Sequence, residues 1–380
     1  MKDITVQRIL WKVSGPRLGW ASVRIRTLLP ALALARAGCH VTVTDSRPSD
    51  AHLSACDIVV INKSFTEDDV ATAEAARARG ISVVFDLCDN IFAPNYGSGL
   101  GREAQVFAEI ARLCQLITTT GSAMTAILER EVPSTLPIRV VPDGVETLED
   151  IKRLISILRS GHAPDLPTLR LVLKDVACRE RHIDKPARLR LWFDAIAKGD
   201  GWLSRNRKTV LWFGAPGRTG DKNGLASLRL AKPYLEAVNA DVPIQLLTVS
   251  CSRKLFHAYT ADFGIPSVYR DWSLLGIYDW LAAADLAIIP NAKDAASIVK
   301  SANRAVLSLA NGNPVVADAV PAMAEFADCT VLDDWDAGLR RYLTDDAARA
   351  ADLAAARVKI ERDYSLDAIG NRWRTVLGDA

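Results

Sequence analysis

Short, nearly continuous apolar runs alternate along this chain with longer segments whose apolar positions recur every three or four residues. RILWKV (8–13), HVTVTD (40–45), DIVVIN (57–62), ISVVFD (81–86), QLITTT (115–120) and IRVVPD (138–143) are the runs of its first part. After the first run a helix starts near Ser22, with Val23, Leu29, Leu32 and Leu34 on its apolar face and Gly38 at its close. A second helical segment, rich in Ala and charge, covers 67–79 and stops at Gly80. Strands that are apolar on both faces suit a parallel sheet covered by helices on either side. The pattern predicts one doubly wound α/β domain over 1–145.

The cycle then restarts. KTVLWFG (208–214), PIQLLTV (243–249), IPSVYRD (265–271), DLAIIPN (285–291) and PVVAD (314–318) predict a second α/β domain over 208–345. Residues 346–380 read as C-terminal helices, with Leu353, Val358, Ile360, Ile369, Trp373 and Val376 apolar, expected to pack back on the first domain. The stretch 146–207 is less regular and reads as a linker or insertion. It opens with a helical pattern, ETLEDIKRLISILRS (146–160), and carries a basic segment, CRERHIDKPARLRLW (178–192). Arg179, Arg181, Lys185, Arg188 and Arg190 either hold an anionic acceptor or lipid head group, or form one solvated helix face with Glu180 and Asp184.

Composition narrows the class of protein. At 380 residues, 49% apolar and 24% charged, the chain is of ordinary globular make-up and large enough for two domains. A net charge of +2 gives no reason to expect a nucleic-acid partner. The seven cysteines (Cys39, Cys56, Cys88, Cys114, Cys178, Cys251, Cys329) include no C-x-x-C pair and read as small buried hydrophobes in a reducing compartment. The opening MKDITVQRILWKV has no long apolar stretch, so no signal peptide is expected, and no run is long enough to span a bilayer. A cytoplasmic location is expected, with the 179–190 patch leaving room for peripheral contact at the inner face of a membrane. The five histidines form no Ser/His/Asp or Cys/His constellation.

Two stretches carry candidate chemistry. In KSANRAVLSLANGNPVVAD (300–318), Ala302, Ala305, Val306 and Leu309 make one apolar helix stripe, stopped by Gly312 and Pro314. Ser301 is the expected N-cap, leaving the amides of Ala302, Asn303 and Arg304 to meet a phosphate. Lys300 and Arg304 flank the positive end of the helix dipole, which is unfavourable unless an anion sits there or both side chains simply reach solvent. The second stretch, APGRTGDKNG (215–224), follows a strand. Gly214, Gly217, Gly220 and Gly224 permit a tight backbone turn that presents Arg218 and Lys222, a clamp for two phosphates. The GKS/GKT ending of a Walker loop is absent, and Gly97-Ser98-Gly99-Leu100-Gly101 lacks the spacing and preceding strand of a dinucleotide fingerprint.

In this arrangement GRTGDKNG resembles the "GR…KG" loop of GT-B glycosyltransferases of the family 4 type. DWSLLGIYDWLAAADLAIIPN, followed by KSANRAVLSLANGNPVVAD, resembles their donor-site half. GWASVRIRTLLPALALARAGCHVTV, ARARGISVVFDLCDNIF, ITTTGSAMTAIL and IRVVPDGVE are similar to successive segments of their acceptor half. The resemblance covers most of 8–146 and 208–377. Many members carry two Glu residues eight apart where this chain has Val299 and Leu307, and a subset with a KS-x-x-R helix start lacks that pair as well.

The resemblance implies an α/β fold of two Rossmann-like doubly wound domains facing a cleft, with a C-terminal helix. It implies a nucleotide-diphosphate-sugar donor and a glycan or lipid-linked acceptor, in surface polysaccharide or glycolipid biosynthesis. Front-face, retaining transfer without metal or cofactor is implied, so DLCDN (86–90) is not read as a metal site. Arg218, Lys222, Asp86 and Asp89 form the implied catalytic set. Gly217, Arg270, Trp272, Lys300, Ser301, Asn303 and Arg304 form the donor site, and Gly15, Gly19, Arg24 and Asn90 the acceptor side. Alternatives stay open: Trp272 as core, Arg24 at the surface, Asp89 or Asn90 capping a turn. Asp143-Gly144 is the expected hinge. A sugar-nucleotide 2-epimerase and a non-catalytic nucleotide-binding relative are the competing readings.

Overall fold

A computed structural model describes residues 7–15, 18–94, 96, 101–161, 163–172, 202–217 and 222–380. Arg218 and the basic segment 178–192 fall outside the described residues. The chain divides into two units, one of 1–180 with 299–301 and 363–380, the other of 181–298 with 302–362.

In the first unit the apolar runs form β1 (Arg8–Val13), β2 (His40–Thr44), β3 (Ile58–Asn62), β4 (Ser82–Leu87), β5 (Leu116–Thr119) and β6 (Ile138–Val140). A further strand, β7 (Leu169–Val172), joins them on the outer side of β2, with Val41 opposite Leu169 and Thr44 opposite Val172. The order β6-β5-β4-β3-β1-β2-β7 is parallel throughout. The sheet therefore reverses its winding between β1 and β3, and ligands of such sheets sit beyond the carboxyl ends at that point. β7 and the helix Leu148–Ser160, capped by Thr147, group with this unit, although the sequence pattern placed both in a linker.

The helix after β1 is not uniform. It is α-helical at Ala21–Val23 and Leu29–Arg36, but Arg24–Leu28 between them is π-helical, a wider turn that periodicity does not reveal. Arg24 and Arg26 both lie in that turn and both are buried. The helix Leu366–Gly378 packs on Leu29–Arg36. Gly370 makes this close approach possible, since a Cβ there would stand 2.7 Å from that of Ala33. One turn on, Trp373 meets Trp11 edge-on with ring centres 5.0 Å apart, and the Arg26 guanidinium lies 5.2 Å from the Trp373 ring centre. Such ring and cation–ring contacts add to the area term that buries both indoles.

The second unit holds β8 (Lys208–Phe213), β9 (Ile244–Ser250), β10 (Ser267–Asp271), β11 (Leu286–Ile289), β12 (Val315–Ala317) and a two-residue β13 (Val331–Leu332). Their order, β10-β9-β8-β11-β12-β13, is the dinucleotide-binding arrangement with its switch point between β8 and β11. Trp212, Leu235, Leu246, Ile288 and Tyr342 are at the centre of its core. The C-terminal segment is split between the units, Asp346–Asp363 falling almost entirely in the second and Leu366–Gly378 in the first. Ser365, whose hydroxyl accepts from the Ala368 amide, restarts the helix. Among the described residues no helix is long and apolar enough to cross a membrane.

Candidate functional site

At the switch point of the second unit, two loops leave neighbouring strands. One follows β8. Its backbone turns at Gly214 and is pinched at the base, where the Leu225 amide donates to the Pro216 carbonyl at 3.0 Å. Gly217 and Gly224 face each other across the pinch at φ values of +74° and +66°. A Cβ on Gly217 would come within 2.7 Å of the Asn223 carbonyl, and one on Gly224 within 2.5 Å of Pro216. Only glycine fits either position. Lys222 is exposed on the returning limb, while its expected partner Arg218 lies outside the described residues.

The other loop, 290–302, follows β11 and enters the helix Asn303–Ala310. The N-cap position is Ala302, which has no side chain able to cap. Ser301, expected as the cap, instead donates its hydroxyl to the Asp143 carboxylate at 2.5 Å, and the helix starts one residue later than the sequence suggested. The first-turn amides are thus those of Asn303, Arg304 and Ala305, with no side-chain acceptor from the cap. Arg304 lies in this turn. Its Nη1 donates to the Phe213 carbonyl at 3.3 Å, next to Gly214, and its guanidinium sits 5.9 Å from the Trp212 ring centre. No carboxylate pairs with it among the described residues, and burial draws its pKa down to about 10. A desolvated cation without a counter-charge is costly, and an anion at that position would relieve the cost.

Arg270 is buried at the end of β10, donating to the Tyr269 carbonyl at 2.7 Å and stacked 5.4 Å from the Trp280 ring centre. Burial, with Arg253 nearby, lowers its pKa. Trp272 follows on the strand exit, its amide bonded to the Ser250 carbonyl at 2.8 Å. Val299 and Leu307, at the positions of the absent Glu pair, are 4% and 6% exposed.

The first unit places its predicted residues differently. Asp86 is fully buried: Arg26 binds both its oxygens, Asn62 donates to one at 2.6 Å and Thr118 to the other at 2.7 Å. Those bonds occupy its acceptor capacity and remove it from the groups free to orient a ligand hydroxyl. Arg26 also donates to the Val141 carbonyl and lies 3.4 Å from Asp143. Burial alone would lower the Arg26 pKa, but Asp86 and Asp143 hold it above the ordinary value. Asp143 is pushed up by burial, against the pull of Arg26 and Ser301. Gly144 has the Ile369 side chain 2.9 Å from where its Cβ would stand, so this expected hinge is packed tight.

Arg24 does not occupy a surface position. It is 4% exposed, forms a two-pronged ion pair with Glu146, and donates to the Leu18 carbonyl at 2.5 Å. The loop of Gly15 and Gly19 is thereby tied to the segment after β6. Asn90 accepts from the Phe92 amide at 3.1 Å, the turn-capping role left open by sequence. Asp89 takes Lys63 on one oxygen and Lys300 on the other. Burial would raise its pKa, but the two ammonium groups outweigh that and hold it at about 2. Burial and Asp89 push the Cys88 thiol up to about 12, and Cys251 is exposed, against the expectation that every cysteine is buried.

Glu146, Asn62, Asn223 and Asp294 were not singled out from sequence. Glu146 alone left a local signal, as the acid closing IRVVPDGVE.

No protein-family model matches the sequence, and no curated protein matches it. Solved structures do match its fold. HepE of Anabaena, in complex with UDP and glucose, superposes at a TM-score of 0.61 with 14% identity over 98% of this chain and 100% of that one. Sucrose-phosphate synthase from Thermosynechococcus elongatus does so at 0.60 with 15% identity, over 98% and 100%. The E. coli trehalose-6-phosphate structure bound with UDP-2-fluoro glucose gives 0.56 with 13% identity, over 97% and 98%. The fold is GT-B. At these identities the likeness concerns architecture, and chemistry must be argued from this chain's own side chains.

Proposed function

We propose that this chain is a glycosyltransferase that takes a sugar from a nucleoside-diphosphate donor. The observation that carries the reading is Arg304: a half-buried guanidinium in the first turn of a helix, beside a glycine-pinched loop, with no acid to neutralise it among the described residues. Two like-signed elements facing one strand end, the guanidinium and the helix amides, suit a diphosphate. The fold neighbours include structures bound to UDP, UDP-glucose and a UDP-sugar analogue, which supports the same class of donor.

In this reading Arg218, Lys222 and Arg304 neutralise charge on the leaving diphosphate, the largest electrostatic contribution such a step offers. Gly217 and the amides near Asn303 approach the phosphates closely, Lys300 and Ser301 border them, and the backbone at Arg270 and Trp272 reads the base. A bond forms between an acceptor oxygen and the anomeric carbon as the bond from that carbon to the diphosphate breaks. The acceptor proton passes to the leaving phosphate, with retention and without a metal or other cofactor. Asp89, Asn90, Gly15 and Gly19 border the acceptor, a glycan or lipid-linked sugar in surface polysaccharide or glycolipid synthesis at the cytoplasmic face of a membrane. Thermal shift with UDP and GDP tests the reading: stabilisation by at least one supports it, and none by either removes it.

The buried, apolar Val299 and Leu307 favour a second reading, a non-catalytic nucleotide binder. Turnover of a donor panel, measured alongside binding, separates the two.

A further inference from the structure

Asp294 lies in the loop after β11, and its two carboxylate oxygens have different partners. Oδ1 accepts from the amides of Ala296 and Ser297 at 3.1 and 2.8 Å, closing a local turn. Oδ2 accepts from the Asn223 side-chain amide at 3.0 Å, across 71 residues of sequence. Asn223 is the residue whose carbonyl lies against Gly217 at the pinch of the β8 loop. This bond joins the two loops that leave the strands flanking the switch point.

Behind Asp294 the polar chain continues. Ser297 offers its carbonyl to Asn291 at 3.2 Å, the Asn291 amide donates to Asp318 at 2.7 Å, and Asp318 accepts from the Trp335 indole at 3.1 Å. Trp335 is part of the buried core. A chain of directed bonds anchored in the core holds one geometry better than any single surface contact. Lys293, at φ +54°, follows Asn291 and is held by that residue's side-chain oxygen at 2.7 Å and by Asp333 at 2.8 Å.

We infer that Asp294 is a positioning residue, which through Asn223 fixes the returning limb of the glycine loop, and hence Lys222, beside the strand end that Arg304 occupies. The inference rests on the proposed nucleotide site for its purpose, but the brace itself is independently measurable. Asp294 contacts no phosphate in this scheme; it acts through Asn223.

The bridge can be broken selectively. Asn223→Ala removes the donor and leaves the Oδ1 turn of Asp294 in place, whereas Asp294→Asn alone lets the Asn223 amide flip and accept from the new amide. In the full chain, hydrogen exchange of the Gly224 and Leu225 amides should accelerate several-fold in Asn223→Ala, with strand β9 unchanged. Affinity for UDP or GDP, whichever binds, should fall about 3- to 10-fold, the range for one ordinary hydrogen bond, because Asp294 acts on the site only through Asn223. In the Asn223→Ala background Asp294→Asn should add nothing further, because the partner is already gone. Unchanged exchange at 224–225, or additive losses of affinity in the double variant, would overturn the assignment. If the parent protein binds neither nucleotide, the proposed function fails, while the exchange experiment still decides the brace.

Discussion

Arg304 directs Nη1 to the backbone carbonyl of Phe213, 3.3 Å away, and that neutral acceptor is the guanidinium's one hydrogen-bond partner among the described residues. By contrast the other buried arginine pairs, Arg24 with Glu146 and Arg26 with Asp86, are each neutralised two-pronged. Among the described residues the guanidinium groups are thus of two kinds, the buried, acid-paired struts of the first unit and, in the second, the half-buried Arg304 with no acid against it. On the proposed reading the first kind holds the protein together and the second is offered to a ligand.

Asp86 belongs to the first kind. Asp86→Ala leaves Arg26 inside the unit with only Asp143 nearby, and stranding one partner of a buried pair costs about 3–5 kcal/mol. We expect the melting temperature to drop by roughly 10 °C. An unchanged melt with lost transferase activity would instead assign Asp86 to chemistry.

Asp89 sets a pH dependence whose sign can be worked out. Its pKa in the fold is about 2, below the ordinary carboxylate value of 3.8. A depressed acid contributes stability above its unfolded pKa, and that contribution is lost as pH falls toward the folded one. The contribution is roughly 2 kcal/mol at neutral pH. Melting curves of the parent and Asp89→Asn should therefore differ at pH 6 and converge between pH 4 and 2. Asp143, shifted upward, works in the opposite direction in both proteins and cancels in the comparison. Parallel curves over the whole range would contradict the Lys63–Asp89–Lys300 arrangement.

Gly370 fixes the seat of the C-terminal helix. Gly370→Val forces side-chain carbon to within 2.7 Å of the Ala33 Cβ and separates Trp373 from Trp11. Overpacking of this kind costs about 1–3 kcal/mol. Near-UV circular dichroism should lose indole signal along with the fall in melting temperature; a variant as stable as the parent would show that the helix has slack to move.

Among the described residues eleven strands announce themselves as apolar runs, most of them because both faces of the sheets are covered, although β6 at the sheet edge leaves Arg139 and Val140 exposed. The two that do not are an edge strand in which Arg170 and Val172 stay exposed, and β13, only two residues long. The glycine loop and the end of the 303–310 helix were legible through residue types whose backbone demands are narrow, Gly at positive φ and Pro after a helix end. What sequence could not supply was pairing at a distance. Arg26 finds Asp86 and Val141, Arg24 finds Glu146, and Ser301 is drawn from its capping position by Asp143, 158 residues away. The π-helical turn that carries both arginines has the same apolar content as an α-helix, so periodicity reads straight through it.

The central claim is that Arg304 awaits a diphosphate. Calorimetric titration of UDP and GDP into the parent chain and into Arg304→Met, which keeps the aliphatic bulk over Trp212 and removes the charge, tests it most directly. The parent should bind and the variant should lose at least tenfold in affinity, with a melting temperature for the unliganded variant equal to or above the parent's because a partly desolvated cation, without an acid among the described residues, has gone. Equal affinity in the two proteins, or a variant that unfolds well below the parent, would contradict it.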